Sequence, residues 1–283
     1  MFNAKLKDGV LVVIGSAGIK SLAALPIIDF LLQNNVPIKR YIGSGAGAFL
    51  AALIITNNRK EDIPRLMSAI YNKQAMSDFN LNALLTMINF PFFKYQYGDG
   101  FLHNQRLLKL GKKFYGDLKI EDLPIPLEIL TTDLITAESV MLDSGILYQA
   151  LYASNALFPL FPPIWIQDKW LVDGSFTSIL PILALNNYKF DLIVFINIDR
   201  CGEIHFENFA EFVCNTLLRT TAFAHMTERT LALDLMHSKS YYFTIAFEHR
   251  LSMWDEYAAD LILDAGEIAM KEHGPQIMKI LNI

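Results

Sequence analysis

The sequence predicts an α/β fold of three layers, in which helices cover both faces of a mostly parallel central sheet. Short apolar segments alternate with helical segments along the chain, and this order is typical of βαβ units. The strand segments are continuously apolar, which indicates strands that are buried on both faces. The 283 residues show no internal repeat, low-complexity linker or change of composition. We therefore expect a single domain over residues 1–283.

The predicted strands are short apolar runs that end at a glycine or a polar residue. Residues 10–14 end at Gly15, and the next strand ends at Gly43. Residues 192–198 are rich in β-branched side chains, which favour extended backbone. The predicted strands are residues 10–14, 37–42, 127–132, 139–142, 169–172, 192–198 and 241–247.

The segments between these strands predict helices. Residues 46–56 are small and apolar, which is typical of a helix that packs tightly on a sheet. Three prolines within residues 158–163 exclude regular structure there, and Gly274-Pro275 is expected to interrupt the last helix. The predicted helices are residues 19–34, 46–56, 62–71, 102–115, 147–157, 181–186, 206–238 and 255–281.

Composition and charge favour a protein with a large core and no nucleic-acid partner. Apolar residues make up 53% of the chain and charged residues 19%, which predicts extensive burial and leaves room for an exposed apolar face. The net charge is −5 and no run of lysine and arginine exceeds two residues, so nothing in the charge favours nucleic acid. Cys201 and Cys214 fit no disulfide framework, and the six histidines fit no zinc spacing. We expect no metal, no cofactor and a reducing compartment.

The sequence gives no sign of a signal peptide or of a membrane-spanning helix. The apolar run at residues 10–14 is too short for the core of a signal peptide. The longest uncharged stretch, residues 41–58, has three glycines within five residues and is better explained by a strand, a turn and a helix. We expect a cytoplasmic protein, with peripheral membrane contact as an option.

The first candidate site is the turn at residues 15–21 (GSAGIKS). A glycine-bearing turn at the start of a helix presents free backbone N–H groups to an anion or to a developing oxyanion. An ordinary tight turn with a solvated lysine is the alternative. The segment is not a phosphate-binding P-loop, because Ile19 stands where that motif has the glycine before its lysine.

The second candidate site is residues 43–48 (GSGAGA). It matches the nucleophile elbow G-x-S-x-G at Gly43 and Gly47 but has Gly45 at the centre. Ser44 does not fit that motif, because its flanking positions would be Ile42 and Ala46. The segment also matches the dinucleotide fingerprint G-x-G-x-x-G/A, but the polar loop at residues 57–64 replaces the second strand with an acidic end that this reading requires.

The third candidate site is Asp173-Gly174, which follows an apolar strand and the proline-rich segment. Together the three sites resemble the patatin-like family of lipid acyl hydrolases, which has a glycine-rich loop, a G-x-S-x-G elbow and a D-G-G/A/S motif in this order. The similarity covers nearly the whole chain and is carried by residues 43–53 (GSGAGAFLAAL), 131–143 (TTDLITAESVMLD), 153–163 (ASNALFPLFPP), 170–181 (WLVDGSFTSILP) and 260–269.

The resemblance implies a phospholipase A or lysophospholipase type of activity with a serine–aspartate dyad and a phospholipid or other acyl-ester lipid as substrate. It implies that Gly45 occupies the nucleophile position and that Asp173 is the base. The oxyanion loop would be formed by Ser16, Ala17, Gly18 and Ile19, and Lys20 would be the basic residue of that loop. The family has consecutive glycines where this chain has Ser16 and Ala17.

Glycine at position 45 has two explanations, natural divergence or the deliberate replacement of a serine. The motif with serine, GSSAG, would be an ordinary elbow, whereas the changes in the separate glycine-rich loop favour divergence. In both cases acyl transfer through residue 45 is absent, so we expect an inactive or nearly inactive hydrolase. The alternative is a pseudo-enzyme that keeps the lipid pocket and acts as a lipid-binding or regulatory protein.

Two structural expectations follow from these motifs. An elbow holds its central residue in a strained backbone conformation, so Gly45 should have one. Residues 79–97, from Phe79 to Tyr97, carry six aromatic residues and Pro91, which is unusual for a regular core element. We expect this segment to form an apolar mouth or a membrane-facing flap, and an ordinary helix and loop over the sheet is the alternative.

Overall fold

A computed structural model of the chain describes most of the sequence. The described residues are 6–56, 59–88, 90–178, 180–185, 187–199, 212–213, 216–217, 219–221, 223, 230, 232–247 and 251–283. Both cysteines, Cys201 and Cys214, and much of the helix expected at residues 206–238 lie outside them.

Eight strands form one mixed sheet. They are β1 Val10–Ile14, β2 Ile38–Ser44, β3 Leu127–Asp133, β4 Ser139–Leu142, β5 Ile164–Ile166, β6 Lys169–Asp173, β7 Leu192–Ile198 and β8 Ser240–Ile245. The hydrogen-bonded neighbours follow the path β5-β6-β3-β2-β1-β7-β8, and β4 also pairs with β3. All pairs among β3, β2, β1, β7 and β8 are parallel, whereas β4, β5 and β6 join by antiparallel pairing. The expectation of a mostly parallel central sheet is confirmed.

Helices precede and follow these strands along the chain. They are α1 Leu25–Gln33, α2 Ala46–Thr56, α3 Ile63–Ile70, α4 Leu81–Thr86, α5 Gln105–Tyr115, α6 Leu147–Asn155 and α7 Ala259–Leu281. Short 3-10 turns also occur, at Lys20–Ala24, Lys60–Asp62, Lys73–Met76, Ile120–Asp122, Gly174–Phe176 and Leu183–Leu185.

The two faces of the sheet contribute to two different hydrophobic clusters. Alternate residues of β1 show this division: Val10, Val12 and Ile14 belong to a large cluster with α1, α2 and α7, whereas Leu11 and Val13 belong to a cluster with residues 180–185 and 232–236. Side chains alternate between the faces of a strand, so both faces of β1 are covered. This arrangement is the three-layer α/β/α architecture.

Several element boundaries differ from the sequence predictions. The helix expected at residues 19–34 is divided into a 3-10 turn and α1, because Pro26 stands at the start of α1. Helix α7 continues through Pro275 without interruption. The preceding Gly274 has no Cβ to clash with the proline ring, and it packs against Phe30 of α1.

Other differences concern short elements. Residues 181–185, the described part of the helix expected at residues 181–186, contain the 3-10 turn Leu183–Leu185. The short strand β5 was not expected, and it pairs with β6 through Trp165 and Trp170. Helix α4 lies within residues 79–97, for which a helix and loop was the alternative expectation, and the side chain of Asn80 caps it by accepting a hydrogen bond from Ala83 N–H.

Candidate active site

The strands β2 and β6 meet end to end along one edge of β3. Leu130 pairs with Met141 of β4 on one side and with Ser44 of β2 on the other. The next residue, Thr131, pairs with Val140 of β4 and with Asp173 of β6. Because β4 occupies one edge of β3 continuously, the ends of β2 and β6 share the opposite edge. The structure thus brings the elbow and the aspartate together, although β6 arrives by antiparallel pairing.

Gly45 follows β2 in a left-handed backbone conformation, with φ of 53°. Residues other than glycine adopt this conformation at a cost of about 1–3 kcal/mol. Its N–H donates a 2.7 Å hydrogen bond to Ser154 Oγ, and Ser154 Oγ donates in turn to Leu130 O at 2.6 Å. The turn is therefore fixed to the sheet through the side chain of Ser154 on α6.

Gly43 and Gly47 allow close backbone approaches on either side of this turn. A Cβ on Gly47 would overlap Ile14 O and lie 2.7 Å from Gly15 O. A Cβ on Gly43 would overlap the backbone of Ala48, at the start of α2. Helix α2 therefore begins in direct backbone contact with β1 and β2, which holds the turn at the end of the sheet.

Ser16 occupies the space that a side chain on Gly45 would enter. A Cβ on Gly45 would overlap Ser16 Oγ and would lie 2.7 Å from Ser16 Cβ. Ala46 N–H lies within hydrogen-bond distance of the same hydroxyl, with N and Oγ 3.3 Å apart. The side chain of Ser16, in the turn at residues 15–21, is therefore in contact with Gly45, the central residue of the turn at residues 43–48.

The expected oxyanion loop presents its N–H groups unequally. Ala17 N–H donates to Ser21 Oγ at 3.0 Å, and Ile19 N–H donates to Met253 O at 3.0 Å. Gly18 has φ of 61°, and within the described part of the chain its N–H has no acceptor. Of these three N–H groups, that of Gly18 is the one without an acceptor in the described structure.

Ser16, Gly18 and Asp173 line one small cavity. Its volume is about 50 Å³, which is room for a few water-sized groups. The other lining residues are Ile70, Tyr71, Leu107, Asn155, Leu157, Phe161, Met253 and Trp254. The cavity wall is therefore mostly apolar, and its polar side chains are those of Ser16, Tyr71, Asn155 and Asp173.

Asp173 is buried, and its carboxylate is held in place by its own turn. Oδ1 accepts a 2.8 Å hydrogen bond from Ser175 N–H, and the backbone carbonyl accepts one of 2.9 Å from Thr132 Oγ1. Tyr71 shares the cavity and donates to Asn155 Oδ1 at 2.5 Å. Burial, followed by the charge of Asp173 and the neighbouring Tyr115, holds the pKa of Tyr71 well above its usual value.

Lys20 points away from this cavity. Its Nζ donates a 3.2 Å hydrogen bond to Asp199 O, beyond the end of β7, and lies 5.4 Å from the centre of the Phe247 ring. The side chain is 4% exposed and is not among the residues that line the cavity. Lys20 therefore connects the turn at residues 15–21 to the segments that follow β7 and β8.

Residues 79–97 form a surface rich in exposed apolar side chains, called here the aromatic flap. Phe92 is fully exposed. The other large apolar residues with substantial exposure are Phe79, Leu81, Met87, Ile88, Phe90, Phe93, Tyr95 and Tyr97.

The flap is tied to the proline segment that lines the cavity. Asn80 N–H donates to Phe101 O, and Phe101 N–H donates to Pro159 O at 2.9 Å. Leu102 N–H donates to Leu160 O at 2.8 Å. Because the next residue, Phe161, is part of the cavity wall, the flap lies beside the site.

Neither a metal-binding cluster nor a membrane-spanning helix is present among the described residues. No group of three or more histidine, cysteine, aspartate or glutamate side chains among them could hold a metal ion. Among the helices that the structure describes, none has the length and apolar character needed to cross a membrane.

Three residues of the site were not identified from the sequence. Ser154 connects Gly45 to β3, Tyr71 faces the cavity from the end of α3, and Trp254 covers it against Tyr71 and Phe161. Ser154 lies within residues 153–163, one of the segments that resemble the patatin-like family, and this resemblance could have indicated a role for it. Nothing in the local pattern around Tyr71 or Trp254 indicates a role, because the fold alone brings them to the cavity.

Comparison with known proteins agrees with the geometry. The family model described as patatin-like phospholipase matches residues 12–186, more than half of the chain. This range includes both glycine-bearing turns and the aspartate motif.

The chain is also similar to several curated proteins. An uncharacterized NTE family protein of Mycobacterium tuberculosis is 25% identical over 186 residues, which are 66% of this chain and 48% of that protein. Lysophospholipase nte1 of Aspergillus oryzae is 24% identical over 186 residues, 66% of this chain and 11% of that protein. Patatin-like phospholipase domain-containing protein 7 of Rattus norvegicus is 23% identical over 207 residues, 72% of this chain and 14% of that protein. The similarity thus spans half or less of these relatives.

Among solved structures, VipD from Legionella pneumophila matches 94% of this chain and 67% of its own chain. The sequence identity is 13% and the TM-score is 0.47.

Proposed function

Because the chain belongs to the patatin-like phospholipase family, we propose that its cavity beside Asp173 receives the ester group of an acyl lipid. The observation that carries this proposal is the meeting of β2 and β6. It places a buried carboxylate, the N–H group of Gly18 and an apolar wall around one space. A buried apolar pocket with a few convergent polar groups is the usual form of a small-molecule site.

The family route of acyl transfer is missing at residue 45. Gly45 has the backbone conformation of an elbow but no hydroxyl to attack an ester carbonyl. The chain is therefore a lipid acyl hydrolase by descent that is inactive or nearly inactive through this residue. The part of the function that does not depend on residue 45 is recognition of a phospholipid or another acyl-ester lipid, and a regulatory role would use the same pocket.

The aromatic flap is the proposed contact with a lipid surface. The cavity is too small for a whole lipid, so the rest of the molecule must extend outside it. The flap presents nine substantially exposed large apolar residues beside the cavity wall, and Tyr97 anchors it by packing on Trp170 at a ring separation of 5.5 Å. Such a surface suits peripheral contact with the acyl and headgroup boundary of a membrane.

Binding of a lipid that cannot be hydrolysed tests this function. An ether-linked lysophospholipid should bind the purified chain in a calorimetric titration. Leu107→Trp should lower the affinity by about tenfold or more, because Leu107 lines the cavity and a larger ring would fill its space.

Leu110→Trp is the matched control for this variant. Leu110 is half-buried on the same helix, α5, and is not part of the cavity wall. Equal affinity of the two folded variants for the ether lipid, or no binding by the unmodified chain, would contradict the proposal.

A further inference from the structure

The hydroxyl of Ser16 occupies the place that the family gives to the side chain of residue 45. A Cβ built on Gly45 would overlap Ser16 Oγ, so a side chain at position 45 and the hydroxyl of Ser16 would compete for the same space. The chain has exchanged two residue types between its two loops, with serine in the glycine-rich loop and glycine in the elbow. The exchange keeps one hydroxyl at the junction of β1 and β2.

The surroundings of this hydroxyl suit attack on an ester. Ser16 lines the same cavity of about 50 Å³ as Asp173, so one bound ester can reach both groups. The N–H groups of Ala46 and Gly18 belong to the two turns that flank it, and Ala46 N lies 3.3 Å from Ser16 Oγ. N–H groups in such positions stabilise negative charge that develops on an oxygen.

Other serines near the junction are placed differently. Among the described residues that line the cavity, Ser16 is the one serine or threonine. Ser154 Oγ is engaged between Gly45 N–H and Leu130 O. Ser44 and Ser175 have buried hydroxyls without a hydrogen-bond partner in the described structure, but neither side chain borders the cavity.

We propose that Ser16 Oγ is the nucleophile of this chain, in place of the missing serine at position 45. The proposal rests on the acyl-ester binding proposed above. Ser16 Oγ forms a bond to the acyl carbon while its proton passes to the Asp173 carboxylate. The bond from the acyl carbon to the alcohol oxygen then breaks, and the departing alcohol takes the proton from Asp173. Water repeats the sequence on the acyl-serine and releases the carboxylic acid, which restores both side chains.

Covalent labelling with a fluorophosphonate tests the proposal, because this probe phosphonylates nucleophilic serine hydroxyls. Digestion and mass spectrometry of the labelled chain should place one phosphonate on Ser16. Asp173→Asn should slow the labelling by about 10²–10⁴-fold, the usual contribution of a general base. Ser44→Ala is the matched control: it removes a buried hydroxyl one residue from Gly45 and should leave the labelling rate unchanged.

The ether-lipid titration separates failure of this proposal from failure of the proposed function. A chain that binds the ether lipid but takes no label, or takes it on Ser44 or Ser175, would overturn the role of Ser16 and leave lipid binding intact. A chain that neither binds nor is labelled would overturn both. Ser16→Ala and Ser16→Gly should both lose the label, and at least one should unfold at a temperature near that of the unmodified chain. Label retained in either folded variant would also contradict the proposal.

Discussion

The first side-chain atom of a serine at position 45 would overlap Ser16 Oγ, so the side chains of positions 16 and 45 compete for one volume. The two departures from the family pattern, Ser16 in the glycine-rich loop and Gly45 in the elbow, therefore depend on each other through packing. Removing a serine from position 45 alone would leave space beside the elbow, whereas here Ser16 fills it.

Gly45→Ser should destabilise the chain because two costs add. The left-handed backbone costs a serine about 1–3 kcal/mol, and overlap with Ser16 costs about 1–3 kcal/mol more. Reduced entropy of the unfolded chain offsets about 0.4–1 kcal/mol of this loss. Chemical denaturation of Gly45→Ser, Ser16→Gly and the double variant would measure the coupling, which we expect to be about 1–3 kcal/mol in favour of the double variant. Additive effects would show that the two side chains do not compete for space.

Gly47→Ala should cost stability although it raises helix propensity. The new methyl group would overlap backbone oxygens of Ile14 and Gly15, which lie at the end of β1 and, as backbone atoms, cannot rotate away. Gly111→Ala in α5 is the control, because its Cβ would meet Tyr148 Cβ at 3.1 Å. Gly111→Ala gains about 1 kcal/mol of propensity inside α5, whereas Gly47 lies in the first turn of α2 and gains less. With the overlap added, we expect the comparison to favour Gly111→Ala by roughly 1–3 kcal/mol. Equal unfolding midpoints would contradict the close approach of α2 to β1.

Replacing Phe92 and Phe93 together by alanine should weaken binding to phosphatidylcholine vesicles. Transfer of one such ring into lipid contributes about 1.5–3 kcal/mol, so partitioning in a sedimentation assay should fall by about tenfold or more. Leu261→Ala combined with Ile268→Ala removes two exposed apolar side chains from α7 and should have little effect. Similar partitioning of the two double variants would exclude a special role for the aromatic flap.

The stability of the chain should fall as the pH rises above about 10. Burial raises the pKa of Tyr41, Tyr71, Tyr115 and Tyr152, so the folded state keeps these phenols neutral while the unfolded state loses their protons. The unfolded state then binds fewer protons, and each tyrosine lowers the free energy of unfolding by up to about 1.4 kcal/mol per pH unit. Denaturation of Tyr115→Phe between pH 9 and 11 should show a shallower loss. An unchanged slope would mean that Tyr115 titrates normally in the folded chain.

The sequence predicted the strands well because buried parallel strands are continuous apolar runs, as in Val10–Ile14 and Leu192–Ile198. It also located the turns at Gly45 and Asp173, since each follows such a strand. It did not predict that Ser16 reaches the centre of the elbow, because that contact depends on how β1 and β2 place their turns. Tyr71 and Trp254 were missed for the same reason, since only the fold brings their side chains to the cavity.

The continuity of α7 through Pro275 is a case in which a local sequence pattern predicted a helix end that the structure does not have. Proline alone predicts an interruption, but Gly274 removes the clash with the preceding residue and lets the helix pack on Phe30. A helix end inferred from one residue type therefore depends on its neighbour in sequence and on its partner in space.

The most direct test of the account is to move the hydroxyl between the two loops and measure hydrolysis of a short-chain p-nitrophenyl ester. The unmodified chain should hydrolyse the ester, Ser16→Gly should lose the activity, and Ser16→Gly combined with Gly45→Ser should regain it through the family arrangement. All three proteins must be folded, as judged by circular dichroism. Hydrolysis by Ser16→Gly at the rate of the unmodified chain would contradict the claim that one hydroxyl at this junction performs the attack.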